Sequence, residues 1–169
     1  IESLARRLFV ISDSTCLTGK GNTVENPKIA EAVACYTKKY FLSVEMCSIG
    51  GAKMEQILNQ LIALIHLAGG DPTKFEDFVI IVFSPNDSVN ENWDAATEFT
   101  AEQKHYAEAI RDLVKDLPFC AIMCPGNDEV WKTPNFLLHA RHIVDILRQS
   151  GKTVYAGVPL YTTLKKKEK

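Results

Sequence analysis

Apolar positions along the chain follow two alternating spacings. Short β-branched, aliphatic and aromatic runs at 8–11 (LFVI), 42–47 (LSVEMC), 78–83 (FVIIVF), 119–124 (FCAIMC) and 153–158 (TVYAGV) predict five strands. The segments between them carry apolar residues at helical intervals. A first helix is expected to begin at Asn26-Pro27, a cap followed by proline at the first helical position, and to bury Ile29, Val33 and Tyr40. A second, over about 53–67, turns Met54, Ile57, Leu58, Leu61 and Ile65 inward and stops at Gly69-Gly70. A third opens with the capping box Thr100 to Gln103 and places Tyr106, Ile110, Leu113, Val114 and Leu117 on its apolar face. A fourth opens at Thr133-Pro134, buries Phe136, Ala140, Ile143 and Leu147, and ends near Gly151.

Strands alternating with helices define an α/β fold whose sheet is parallel and covered on both faces. The nearly unbroken apolar character of the third and fourth strands fits burial on both sides. Five strands and four crossovers predict one doubly wound, five-stranded parallel sheet of order 2-1-3-4-5 with helices on both faces, and a single domain over residues 1–169. A lysine-rich tail at 165–169 is the one biased tract, and it reads as a solvated terminus.

Composition narrows the function classes. Hydrophobic residues make up 46% and charged residues 24%, and the formal net charge is −2, so nothing draws the chain toward nucleic acid or an anionic membrane. The longest apolar runs are far too short for a membrane span. Five cysteines, an odd number without Cys-x-x-Cys spacing, fit neither a disulfide framework nor a zinc ribbon. That usage, with no secretory-signal pattern, is expected of a soluble chain in a reducing, intracellular compartment.

Ligands of open parallel sheets sit at the carboxyl ends of the strands, so the residues following each strand are the informative ones. They are Ser12-Asp13-Ser14-Thr15, Ser48-Ile49-Gly50-Gly51-Ala52, Ser84-Pro85-Asn86-Asp87-Ser88 and Pro125-Gly126-Asn127-Asp128. A hydroxyl, a glycine pair and an asparagine amide on one edge are the parts that acyl transfer uses: the hydroxyl attacks and the donors hold the developing oxyanion.

In this order the motifs resemble the SGNH (GDSL-type) hydrolase superfamily, esterases and lipases of flavodoxin-like α/β fold. Ser12-Asp13-Ser14 matches its Gly-Asp-Ser block with serine for glycine; SIGGAKMEQIL is similar to its glycine turn leading into a helix; Ser84-Pro85-Asn86-Asp87 matches its Gly-x-Asn-Asp block, again with serine for glycine. The resemblance implies Ser14 as nucleophile, with Gly51 N–H, the Asn86 amide and Ser14 N–H as oxyanion donors, a small acyl ester as substrate, and no cofactor or metal. Asp13 then orients its loop, or is a turn residue bonding its own backbone. The family's Asp-x-x-His block, which supplies the base, has no counterpart in residues 159–165 (PLYTTLK).

Among the four histidines, His66 and His105 fall on polar helix faces. His142 stands three residues before Asp145, the spacing of a surface pair. His139 flanks the inward stripe of the fourth helix, whose N-terminus faces the carboxyl edge, and is either a substitute base or a partly buried structural histidine. Cys16 reads as a loop thiol, Cys120 and Cys124 as core residues on one strand face, and Trp93 and Trp131 as pocket walls or rim cover.

Two alternatives stay open. One is a non-catalytic module of the same fold that binds a ligand or joins a larger protein assembly. The other is an FMN-binding electron carrier, because residues 18–23 (TGKGNT) resemble the phosphate loop of flavodoxins and residues 83–93 and 125–136 resemble their flavin loops.

Overall fold

A computed structural model of the chain describes residues 6–13, 40–49, 52–88, 98–123 and 134–156. The first helix expected from Asn26-Pro27 lies outside them except at its far end, where Tyr40, expected to be buried, is half exposed in a turn before β2.

Five strands, β1 (Arg7–Ser12), β2 (Ser43–Ser48), β3 (Phe78–Phe83), β4 (Phe119–Met123) and β5 (Thr153–Ala156), form one sheet of order β2-β1-β3-β4-β5. All four pairings are parallel, as the strand–helix alternation requires. Three helices are described: α1 (Met54–Leu67), α2 (Ala101–Val114) and α3 (Pro134–Arg148). None of the described helices is long and apolar enough to cross a membrane.

Register decides the layers. Phe9 pairs with Val79 and Val79 with Phe119, so the odd-numbered positions of β1, β3 and β4 share one face. The inward faces of all three helices close on it: Met54, Ile57, Leu58, Leu61 and Ile65 from α1, Ile110 and Val114 from α2, and Ala140, Ile143, Val144 and Leu147 from α3. On the opposite face Leu8, Val10 and Val82 are buried, with Phe41, Val44, Met46 and Phe78 packed around them.

The five inward residues expected of α1 are its buried residues. After the C-cap Ala68, Gly69 and Gly70 adopt positive φ (109° and 88°), where side-chain-bearing residues are disfavoured, and Gly70 N–H closes the end on the Ile65 carbonyl. In α2 the capping box forms as its sequence predicts: Gln103 N–H donates to Thr100 Oγ1 and Thr100 N–H to Gln103 Oε1. Tyr106 and Leu113 are only half-buried there, because Ala107, Ile110 and Val114 take the innermost line. Tyr106 instead turns its hydroxyl outward to donate to Glu102.

Candidate functional site

The carboxyl ends of β1 and β3 are neighbours at the point where strand order reverses, with β1 leading leftward to β2 and β3 rightward to β4. Their following residues are bound to each other. Asp13, one residue past β1, is fully buried. Its Oδ2 accepts from Ser84 N–H at 2.7 Å and from Asn86 Nδ2 at 3.0 Å. The Asp13 carboxylate thus brackets the loop after β3. Two donors, one of them a backbone amide, are what a desolvated carboxylate requires.

The second Asn86 amide proton goes to the Ala52 carbonyl at 2.9 Å. Asn86 therefore joins three loops: the ends of β1 and β3 and the turn before α1. Both its amide protons are engaged, so an incoming oxyanion is served by Nδ2 only through sharing or exchanging one of these bonds.

Asp87, the next residue, is also buried. Its Oδ2 accepts from Met54 N–H, the first amide of α1, at 3.1 Å. The residue before that helix is Lys53, which has no capping oxygen; Asp87 supplies the acceptor from across the sheet edge and lies at the positive end of the helix dipole. Its main-chain carbonyl accepts from Gln103 Nε2 of α2 at 3.1 Å. Burial pushes the Asp87 carboxyl above its usual range, opposed by the Met54 N–H and by the charges of Lys53 and His139.

His139, on the inner side of α3, is fully buried, with its ring edge-on to Phe99 at 5.3 Å and Asp87 within electrostatic reach. It is more deeply buried than a residue merely flanking the apolar stripe. His142 stacks on the other side of the same pattern: its ring lies over Phe99 at 4.8 Å and 13°, and no ion pair with Asp145 forms. His66 and His105 are exposed, as expected. Ser12 and Ser88 are buried, and among the described residues their hydroxyl oxygens meet no hydrogen-bond partner.

Ser14 and Gly51 lie outside the described residues, as do Cys16, Trp93, Cys124, Trp131 and the 18–23 loop. Among the described residues no three His, Cys, Asp or Glu side chains converge to hold a metal ion. Cys120 is a free thiol that burial pushes up to about 11, so it stays protonated at neutral pH.

Phe99, and a role for Asp87 beyond its place in the Ser84-Pro85-Asn86-Asp87 block, are what the sequence did not single out. For Asp87 a signal exists: Gln56 Oε1 meets the Lys53 N–H locally, but Lys53 has no oxygen to offer the first helix amides, so Met54 N–H takes its acceptor from elsewhere. Phe99 has no comparable signal.

No protein-family model matches the chain, and no curated protein matches it. Among solved structures it is similar to the crystal structure of the lipase/acylhydrolase from Enterococcus faecalis, with a TM-score of 0.56 over 88% of this chain and 74% of that one. The two share 15% sequence identity, so the likeness is one of fold. The class this defines is an α/β fold with a five-stranded parallel sheet, similar in fold to that lipase/acylhydrolase.

Proposed function

We propose that this chain is an SGNH-type serine ester hydrolase domain acting on a small acyl ester at the carboxyl edge of its sheet. The observation that carries the reading is the bracket Asp13–Ser84–Asn86, which fixes the residue before Ser14 against the loop that bears the amide donor. The similarity in fold to a lipase/acylhydrolase supports it.

On this reading the Ser14 hydroxyl oxygen attacks the ester carbonyl carbon and gives its proton to a base. The carbonyl oxygen becomes an oxyanion, held by the N–H groups of Gly51 and Ser14 and by Asn86. Collapse breaks the bond to the alcohol oxygen, which leaves with a proton, and an acyl-serine remains. Water then attacks the acyl carbon, releasing the acid and restoring the hydroxyl. His139 is the candidate base among the described histidines, and Asp13 holds the loop rather than the proton.

A second reading, a non-catalytic binding module of the same fold, is favoured by the Asn86 amide, whose protons are both committed to protein acceptors. It keeps the edge as a ligand or assembly surface and dispenses with Ser14 chemistry.

Incubation with a fluorophosphonate, followed by intact mass, separates the two. Ester hydrolysis predicts one adduct on the wild type and none on Ser14→Ala. A folded wild type that takes up no adduct overturns the hydrolase reading in favour of the binding module.

A further inference from the structure

Adjacent residues of the loop after β3 grip opposite ends of one short segment. Asn86 donates to the Ala52 carbonyl, and Asp87 accepts from Met54 N–H two residues further on. A donor and an acceptor side by side thus meet an acceptor and a donor in the turn that leads from Gly51 into α1. The main chain of Asp87 is tied separately, through its carbonyl, to Gln103 at the start of α2. Behind it, α3 packs against the 86–88 loop, with His139 within electrostatic reach of the carboxylate. One loop residue therefore meets the N-terminal ends of α1 and α2 and the inner face of α3.

We propose that Asp87 is a positioning residue of the edge site: its carboxylate, bonded to Met54 N–H, closes a clamp that holds the turn after Gly51 and the Asn86 amide in fixed relation. The proposal rests on the hydrolase reading for its catalytic consequence, while the clamp itself stands on the hydrogen bonds. The physical logic is that a single hydrogen bond between two loops lets them pivot, whereas two bonds of opposite polarity, two residues apart, fix both distance and angle. Oxyanion donors need that precision, because a small displacement removes most of their benefit. Burial works against the charged form of Asp87, so an apolar residue with a locally capped helix would be the simpler solution for stability alone.

The test compares full-length wild type, Asp87→Ala and Asp87→Asn by amide hydrogen exchange in NMR. The asparagine keeps an oxygen that can accept from Met54 N–H; the alanine does not. With the clamp lost, exchange at Met54, Ala52 and Ser84 rises about tenfold or more in Asp87→Ala while Ala121 in the centre of β4 holds its protection, and Asp87→Asn recovers most of the difference. If Asp87→Ala does not fold, Asp87→Ser, whose shorter side chain falls short of Met54, is read instead. Unchanged exchange at Ala52 and Ser84, or an equal rise at Ala121, overturns the proposal, since the first means no clamp and the second a purely global contribution. Fluorophosphonate uptake at Ser14 is expected to slow about tenfold in Asp87→Ala and to recover in Asp87→Asn. A wild type that takes up no probe defeats the hydrolase reading only, and the exchange pattern still decides the clamp.

Discussion

Two aspartates at the sheet edge show how the same side chain is used differently according to its surroundings. Asp13 is buried but receives two close donors, so its carboxyl oxygen is hydrogen-bonded within the protein. Asp87 is buried with the longer Met54 bond and more distant cations, and desolvation prevails. The consequence for stability has a definite sign. A carboxyl whose folded pKa lies above its unfolded value contributes stability that is fully present below the ordinary value of 3.8 and is lost as pH rises through the folded pKa. Asp87→Asn removes that titration. Thermal melts of the two proteins from acidic to neutral pH are expected to show the variant gaining on the wild type as pH rises through the Asp87 titration; a difference independent of pH would contradict the burial argument.

The helices illustrate two ways of satisfying a helix start. The first amides of α2 are met locally by Thr100 and Gln103, and Gln103 also uses its Nε2 to reach the Asp87 carbonyl. Thr100→Ala removes the acceptor for Gln103 N–H and is expected to lower stability by about 1 kcal/mol in denaturant titration, with the fold retained. Loss of less than a few tenths would mean that water replaces the hydroxyl without penalty. For α1, Gln56 Oε1 accepts locally from Lys53 N–H, while Met54 N–H takes its acceptor from Asp87, distant in sequence, so part of its start depends on the sheet edge being assembled. The capping box of α2 was therefore readable from residues three apart, while the Asp87 contact at the start of α1 was not.

At the scale of the whole molecule, the larger buried cluster among the described residues lies on the sheet face that meets α1, α2 and α3. Leu61, in the middle of α1, is fully buried in that layer, and Ile62 beside it is largely exposed. Leu61→Ala is expected to destabilise by roughly 2–5 kcal/mol and Ile62→Ala by no more than about 0.5 kcal/mol, measured by chemical denaturation. Similar losses at both positions would place α1 in a different rotation. The assignment of inward residues in α1 came from spacing alone, because apolar residues at intervals of three and four leave one solution for a helix on a sheet. Spacing worked less well for α2, where Tyr106 and Leu113 lie at the margin of the stripe and the small Ala107 takes the central line.

The sequence by itself determined the strand–helix alternation, the parallel sheet and its order, the limits of α1 and the start of α2, and which loops gather at the carboxyl edge; the end of α2 falls at Val114, before the Leu117 expected on its apolar face. Those features follow from local periodicity, turn chemistry and the handedness of crossovers, all of which act over short stretches of chain. It also put Asp13 and Asn86 on one edge. Only the tertiary structure decided that they bond to each other, that both Asn86 protons are taken, that Asp87 caps a helix that begins 33 residues before it in the chain, and that His139 is buried against Phe99. The reason is physical: a hydrogen bond between loops depends on where the sheet brings them, and nothing in the residues of either loop alone records its partner.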